Sequence, residues 1–165
     1  MTRILILTRH AKSSWEDPAM NDHERPLNNR GKRAARALGN WFRSKGWHPD
    51  QVLSSDSERT KETFAGLALD TEAVFTSDLY HATANQMLRT LSQATGEVVL
   101  MLGHNPGIAA FAAELASEPP DHTRFFDYPS GATAIIRFDI ESWDQVAWRG
   151  GEVMDFIVPR DLPET

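Results

Sequence analysis

The chain has 165 residues, 41% of them hydrophobic, which fits one compact domain spanning 1–165. A formal net charge of -6 excludes wholesale nucleic-acid binding through a basic surface, while leaving room for a local positive pocket that would focus an anionic ligand. Without cysteine there are no disulfides, thiolate nucleophiles or zinc–thiolate sites, and with no signal peptide and no apolar stretch long enough for a bilayer, a cytoplasmic protein without a membrane partner is expected.

Residues 3–8, RILILT, form a continuous apolar run, the pattern of a strand buried on both faces of a parallel sheet. Residues 29–45 read as a helix with Ala34, Leu38, Trp41 and Phe42 on one face and Gly46 ending it. Its basic run, 30–36, is expected as a solvated face, and the Trp41-Phe42 and Trp47 cluster as packing. A short strand at 51–54 follows. Ser55 and Glu58 then make an S-x-x-E capping box for a helix with Thr60, Phe64 and Leu67 inward. A third strand is expected at 73–76, and a helix at 83–95 with Met87, Leu88 and Leu91 inward and Gly96 as the stop.

Residues 97–102, EVVLML, give the second strongly buried strand. Asn105 and Pro106 are suited to the N-cap and first position of a helix carrying Ile108, Phe111, Ala112 and Leu115. Residues 118–130 read as a loop, 132–138 as a strand, and 146–158 as one or two strands around Gly150-Gly151. The alternation of strands and helices implies an α/β domain with a mostly parallel sheet and at least one antiparallel strand near the end.

Unusual polar residues stand just beyond three of these strands, where open α/β sheets bind ligands. The first strand leads into Arg9 and His10, the second into Ser54, Ser55 and then Arg59, the fourth into His104 before a helix N-terminus whose free N–H groups suit an anion. Arginine forks match phosphate, and positive neighbours favour the neutral form of an imidazole, which is its nucleophilic form. Each signal is weak alone, since a histidine past a strand is more often a loop or core residue. The remaining histidines, His23, His48, His81 and His122, lie in loops without metal-motif spacing and are expected to be solvated, with His23 and His81 candidates for a cleft wall.

In order along the chain, "LTRHAKS", "RPLNNRGKRAA", "SSDSERTKET" and "GHNPGI" resemble the R-H-G, RPL, S-x-x-x-R and second-histidine segments of the histidine phosphatase superfamily. The short length and "YPSGATAII" resemble its small SixA-type phosphohistidine phosphatases. The resemblance implies a phosphoglycerate-mutase-like, three-layer α/β/α sandwich whose mostly parallel central sheet has about six strands. It implies His10 as the phosphorylated nucleophile, Arg9 and Arg59 as phosphoryl ligands, and His104 as a hydrogen-bond donor to the phosphoryl group. Arg25 would add positive charge at the rim, and Ser130 would bind substrate.

Ala11 departs from the glycine usual after the first histidine, a change that a small residue tolerates. The acid that protonates the leaving atom has no plain equivalent: Asp78, in "TSDLYHA", is the candidate, with Glu16, Asp17 and Asp22 as rivals. The implied reaction is a two-step hydrolysis without metal or cofactor. A protein phosphohistidine is the expected substrate, because imidazole leaves more readily than an alkoxide. A broad small-molecule phosphomonoesterase and a non-catalytic phosphate-binding module are the alternatives. The oligomeric state is left open, with a monomer favoured.

Overall fold

The run RILILTR forms β1 (Arg3–Arg9), and in the computed structural model, which describes residues 1–163, it lies inside a six-stranded sheet. Successive residues of β1 enter two separate cores: Leu5 and Leu7 one, Ile6 the other, all fully buried. Both faces are covered, so the run shows no polar alternation. With β2 (Gln51–Ser55), β3 (Ala73–Thr76), β4 (Val98–Gly103), β5 (Thr133–Phe138) and β6 (Glu152–Ile157), the order is β3-β2-β4-β1-β5-β6. The first four in that order run parallel, and β5 is antiparallel to both β1 and β6. The segment 146–158 therefore supplies one strand, β6.

Helices α1 (Asn29–Lys45) and α2 (Glu58–Leu67) cover the Ile6 face through Leu38, Phe42 and Leu67. Helices α3 (Ala84–Ser92) and α4 (Gly107–Leu115) cover the other through Met87, Leu91, Ile108, Phe111 and Leu115. The result is the three-layer α/β/α sandwich. Trp41 and Trp47 pack against the Phe42 core, and Arg30, Lys32, Arg33 and Arg36 are exposed, as the sequence predicts. Among the described residues no helix is long and apolar enough to cross a membrane.

Three helix ends differ from the sequence reading. Ser57, not Ser55, caps α2, its hydroxyl accepting from the Thr60 N–H, because Ser55 is still in β2 and its hydroxyl is needed elsewhere. Helix α3 stops at Ser92 rather than 95, since the Thr95 and Gly96 N–H groups both donate to the Gln51 side chain at 2.8 Å. Helix α4 starts at Gly107 with Pro106 as N-cap, while the Asn105 side chain donates to the Asp127 and Tyr128 carbonyls and accepts from the Ala109 N–H.

Two close approaches seat the helices at the C-terminal edge of the sheet. A Cβ on Gly31 would overlap the Lys12 carbonyl oxygen, so glycine lets the first turn of α1 rest on the backbone just after His10. A Cβ on Gly107 would overlap the Ala82 carbonyl oxygen, so glycine lets α4 meet the segment carrying His81.

Tyr128 joins these parts. It is fully buried, with its hydroxyl donating to the Leu7 carbonyl at 2.6 Å and accepting from the Ala134 N–H at 3.1 Å, across a β1–β5 pair. Tyr128→Phe would strand both backbone groups, so urea unfolding should show a loss of about 1–3 kcal/mol with unchanged secondary structure by circular dichroism.

Candidate active site

The parallel register sets Arg9 opposite Gly103, and the His10 N–H extends that ladder to the Gly103 carbonyl at 3.2 Å. Residues 10 and 104, the first beyond adjacent strands, therefore stand side by side, with ring centroids 5.2 Å apart. Ser55 ends the neighbouring strand, and Arg59 follows in the first turn of α2. Arg9, His10, Arg25, Arg59, His104 and Ser130 line one pocket of about 180 Å³, together with Asp22, His81 and Trp15.

His10 is 5% exposed, and its Nδ1 lies 2.7 Å from the Ala11 carbonyl oxygen. A carbonyl only accepts, so Nδ1 carries the hydrogen and Nε2 keeps its lone pair. Burial pushes the imidazole down to about 3, against the Ala11 hydrogen bond and with help from the charges of Arg9, Arg59 and Arg25. Ala11 itself is buried and lies outside the positive-φ residues, which is why alanine serves here. Its N–H donates to Thr63 of α2 at 3.0 Å, fixing the carbonyl that fixes His10.

His104 is 2% exposed and has both nitrogens engaged. Arg59 Nη2 donates to Nδ1 at 3.3 Å, so Nε2 bears the hydrogen and donates to Ser55 Oγ at 2.8 Å. Burial, then the charges of His10, Arg59 and His81, push this imidazole down to about 2, with Asp22 opposing. The Nδ1 atom thus bears no proton at rest. Donation from it to a phosphoryl oxygen needs a protonation that an incoming dianion would favour.

Arg59 is 1% exposed, with Nη1 donating to the Asp22 carbonyl at 2.7 Å and Nη2 to Asp22 Oδ2 at 3.1 Å. Arg25 donates to Ser13 Oγ and to Asp22 Oδ1, and its guanidinium lies 3.8 Å from the centre of the Trp15 ring. Arg9 donates to the Tyr128 carbonyl at 3.3 Å, and burial and then Arg59 lower its basicity. Buried Nε–H groups of all three arginines have no hydrogen-bond partner among the described residues.

One carboxylate ties this cluster together. Asp22 Oδ2 also accepts from the Tyr80 hydroxyl at 2.5 Å and from His81 Nε2 at 2.9 Å. Burial would raise the Asp22 carboxyl, but the hydrogen bonds from Tyr80, His81, Arg25 and Arg59 outweigh it and hold the group well below the usual carboxylate range. Burial and the bond to Asp22 raise the Tyr80 phenol. Among the described residues, no group of three or more His, Asp or Glu is placed to hold a metal ion.

Arg9, His10, Arg59 and His104 thus share the pocket with Ser130 and Arg25, the last buried under Trp15 rather than standing at an open rim. Asp78 does not line it. Thr76 caps the single turn 77–79, and Asp78 is exposed on it, in a separate cavity with Gln86 and Arg89. Of its rivals, Asp22 is in the pocket, whereas Glu16 and Asp17 are exposed and do not line it. At the N-terminus of α4, Ile108 and Ala110 donate to the His104 and Pro106 carbonyls, Ala109 donates to the Asn105 side chain, and Pro106 has no N–H. Sequence reasoning missed the part played by Tyr80 and the joining of residues 80–81 to Asp22, for which no spacing in the chain gives a signal.

The sequence profile of the histidine phosphatase superfamily (branch 1) matches residues 5–82. An uncharacterised protein of Mycobacterium tuberculosis is 31% identical over 159 residues, covering 92% of this chain and 99% of that protein. The chain belongs to the histidine phosphatase superfamily. An uncharacterised chloroplastic protein of Arabidopsis thaliana is 29% identical over 131 residues, 70% of this phosphatase and 60% of the plant protein's length. Among solved structures, a protein of Nakamurella multipartitia provisionally assigned as the phosphohistidine phosphatase SixA superposes with a TM-score of 0.86 at 27% identity, covering 96% of this chain and 97% of that one. A protein histidine phosphatase SixA complexed with tungstate shares the fold at a TM-score of 0.76 and 22% identity, covering 96% of this chain and 98% of that one.

The phosphatase keeps its two pocket imidazoles uncharged, and this makes its stability depend on pH. In the folded protein His10 and His104 take up protons only near pH 3 and pH 2, against an ordinary value of 6.5 in the unfolded chain. Between these limits the unfolded chain binds more protons, so stability falls as the pH drops from about 6.5 toward 3, by up to about 1.4 kcal/mol per pH unit for each imidazole. Urea unfolding between roughly pH 7 and 4.5 should follow this slope, and His104→Gln should roughly halve it.

Proposed function

We propose that this phosphatase hydrolyses protein phosphohistidine through a phosphoryl intermediate on its own His10. The observation that carries the proposal is the neutral His10, with its Nε2 lone pair free, in one pocket with the guanidinium groups of Arg9, Arg25 and Arg59. Arginines alone would bind an oxyanion. A desolvated neutral imidazole among them is fitted for attack on one.

In the first step His10 Nε2 forms a bond to phosphorus while the bond from phosphorus to the leaving nitrogen breaks. Arg9, Arg25 and Arg59 meet the charge on the phosphoryl oxygens, and Asp22 holds two of them in place. In the second step water attacks phosphorus, its proton passing to the His81 Nδ1 that the first step left unprotonated, and the bond from phosphorus to His10 Nε2 breaks to release phosphate. Ser130, on the pocket wall, is assigned to substrate contact.

The leaving atom needs a proton, and we assign it to His81 rather than Asp78. Asp22 accepts the Nε2–H of His81 and so fixes the ring in the pocket wall, leaving Nδ1 as the atom that delivers a proton. The backbone of His81 is held at φ 50°, a strained conformation of the kind that clusters at functional sites. The Asp22 carboxyl itself is held ionised and cannot be the donor. With an imidazole as leaving group the demand on this donor is modest, which agrees with the similarity to the Nakamurella multipartitia protein provisionally assigned as SixA.

Incubation with a radiophosphorylated phosphohistidine carrier, followed by peptide mapping, should place acid-labile label on the peptide containing His10. His10→Ala should abolish turnover, and Arg59→Ala should lower kcat about 10²–10³-fold. Near-wild-type turnover by His10→Ala, or label on another residue, would remove the mechanism. Equal or faster turnover of small monoesters would move the substrate to that class.

The proton assignment has its own test in the choice of leaving group. His81→Gln should slow alkyl phosphates about 10²-fold but p-nitrophenyl phosphate only a few-fold. Equal losses on both would contradict it.

A further inference from the structure

A larger groove adjoins the catalytic pocket and leads into a second. Lys12 and Ser130 line both the pocket and a groove of about 270 Å³, and this groove shares Arg30, Pro159 and Arg160 with a further one of about 390 Å³. The charged groups along the two are all cationic: Lys12, Arg30, Arg33, Arg124 and Arg160, every one exposed. Among the described residues no carboxylate lines either groove, although the chain carries 23 acidic residues against 17 Lys and Arg.

Four of the five cations also lack an ion pair among the described residues, and only Arg124 has one, with Asp127 at 2.9 Å. Asp161, next to Arg160 in the chain, is turned to His122 and the Val158 N–H. The two grooves thus present five cations and, among the described residues, no carboxylate beside the active site.

The fold sets this row in place. The close approach at Gly31 brings the first turn of α1 onto the backbone of Lys12, so Arg30 and Arg33, one turn apart on the helix, continue the line that starts at the pocket. Between the cations lie Ala34, Ala37, Pro129, Pro159 and Leu162. A small anion is held by convergent groups in an enclosed site, whereas spaced long side chains along an open groove with apolar footing suit a polypeptide.

We propose that the groove docks an acidic segment of the phosphoprotein, with Asp and Glu residues flanking the phosphohistidine that enters the pocket. The proposal rests on the phosphohistidine reading of the site and adds the chemistry of the partner. Complementary charge would speed encounter and fix the direction in which the partner lies, and salt would weaken both.

The test uses fluorescent peptides and anisotropy. One peptide carries a non-hydrolysable phosphohistidine analogue with acidic flanks, a second the same analogue with neutral flanks, and a third the acidic flanks without the analogue. At low salt the acidic flanks should tighten binding about tenfold, and the gain should shrink in high salt. Arg30→Ala/Arg33→Ala/Arg160→Ala should lose the gain while turning over p-nitrophenyl phosphate within about twofold of wild type, which also reports that the variant is folded.

No gain from acidic flanks, or a gain that the triple variant keeps, would overturn the proposal, as would tighter binding of an RNA of equal charge. If the analogue adds nothing while the acidic flanks still bind through the three arginines, the groove stands and the phosphohistidine reading falls.

Discussion

A guanidinium as buried as that of Arg59, 1% exposed, has to be met by a negative group, and Asp22 meets it with both its carbonyl and its carboxylate. The same carboxylate reaches Arg25, Tyr80 and His81, so one side chain binds segments that lie far apart in the chain. Positive charge is in excess around it. Arg9, Arg25 and Arg59 face one carboxylate, and the two imidazoles beside them stay neutral, through burial first and then through those charges. A site so arranged has a standing attraction for an anion and holds an unprotonated nitrogen base next to it.

The sheet makes this arrangement possible because its parallel strands end together. Hydrogen bonds at the ends of β1 and β4 align His10 with His104, and Arg59, donating to Nδ1, fixes the tautomer of the second ring, whose Nε2 donates to Ser55 at the end of β2. The helices then close in on the strand ends through glycines, at Gly31 against Lys12 and at Gly107 against Ala82. Tyr128 ties both levels: its hydroxyl locks β1 to β5, while its carbonyl accepts from Arg9 and Asn105. Fold stability and site geometry therefore share residues.

Much of this was legible in the chain. Buried runs such as ILIL and VVLML have one reading in a soluble α/β protein, and residues directly after them must emerge at one edge of the sheet, so Arg9, His10, Arg59 and His104 could be gathered from sequence. Helix ends were less legible, because the competing partners are distant: Ser55 gives its hydroxyl to His104 instead of a cap, and Gln51 draws away the N–H groups of Thr95 and Gly96. The carboxylate was legible only as a list of rivals. Asp78 looks well placed in order, but its one-turn helix presents it to α3, while Asp22 opens another single turn, 22–24, whose placement at the pocket no local pattern encodes.

The central claim is that His10 stands neutral in the resting protein, with hydrogen on Nδ1 and a lone pair on Nε2. Nitrogen-15 NMR of the imidazole rings, followed across pH, reads both properties for each histidine. The account predicts a His10 ring with the Nδ1–H pattern that stays unchanged on acidification to about pH 4. A His10 that gains its charge near the ordinary 6.5, or that carries its hydrogen on Nε2, would contradict it.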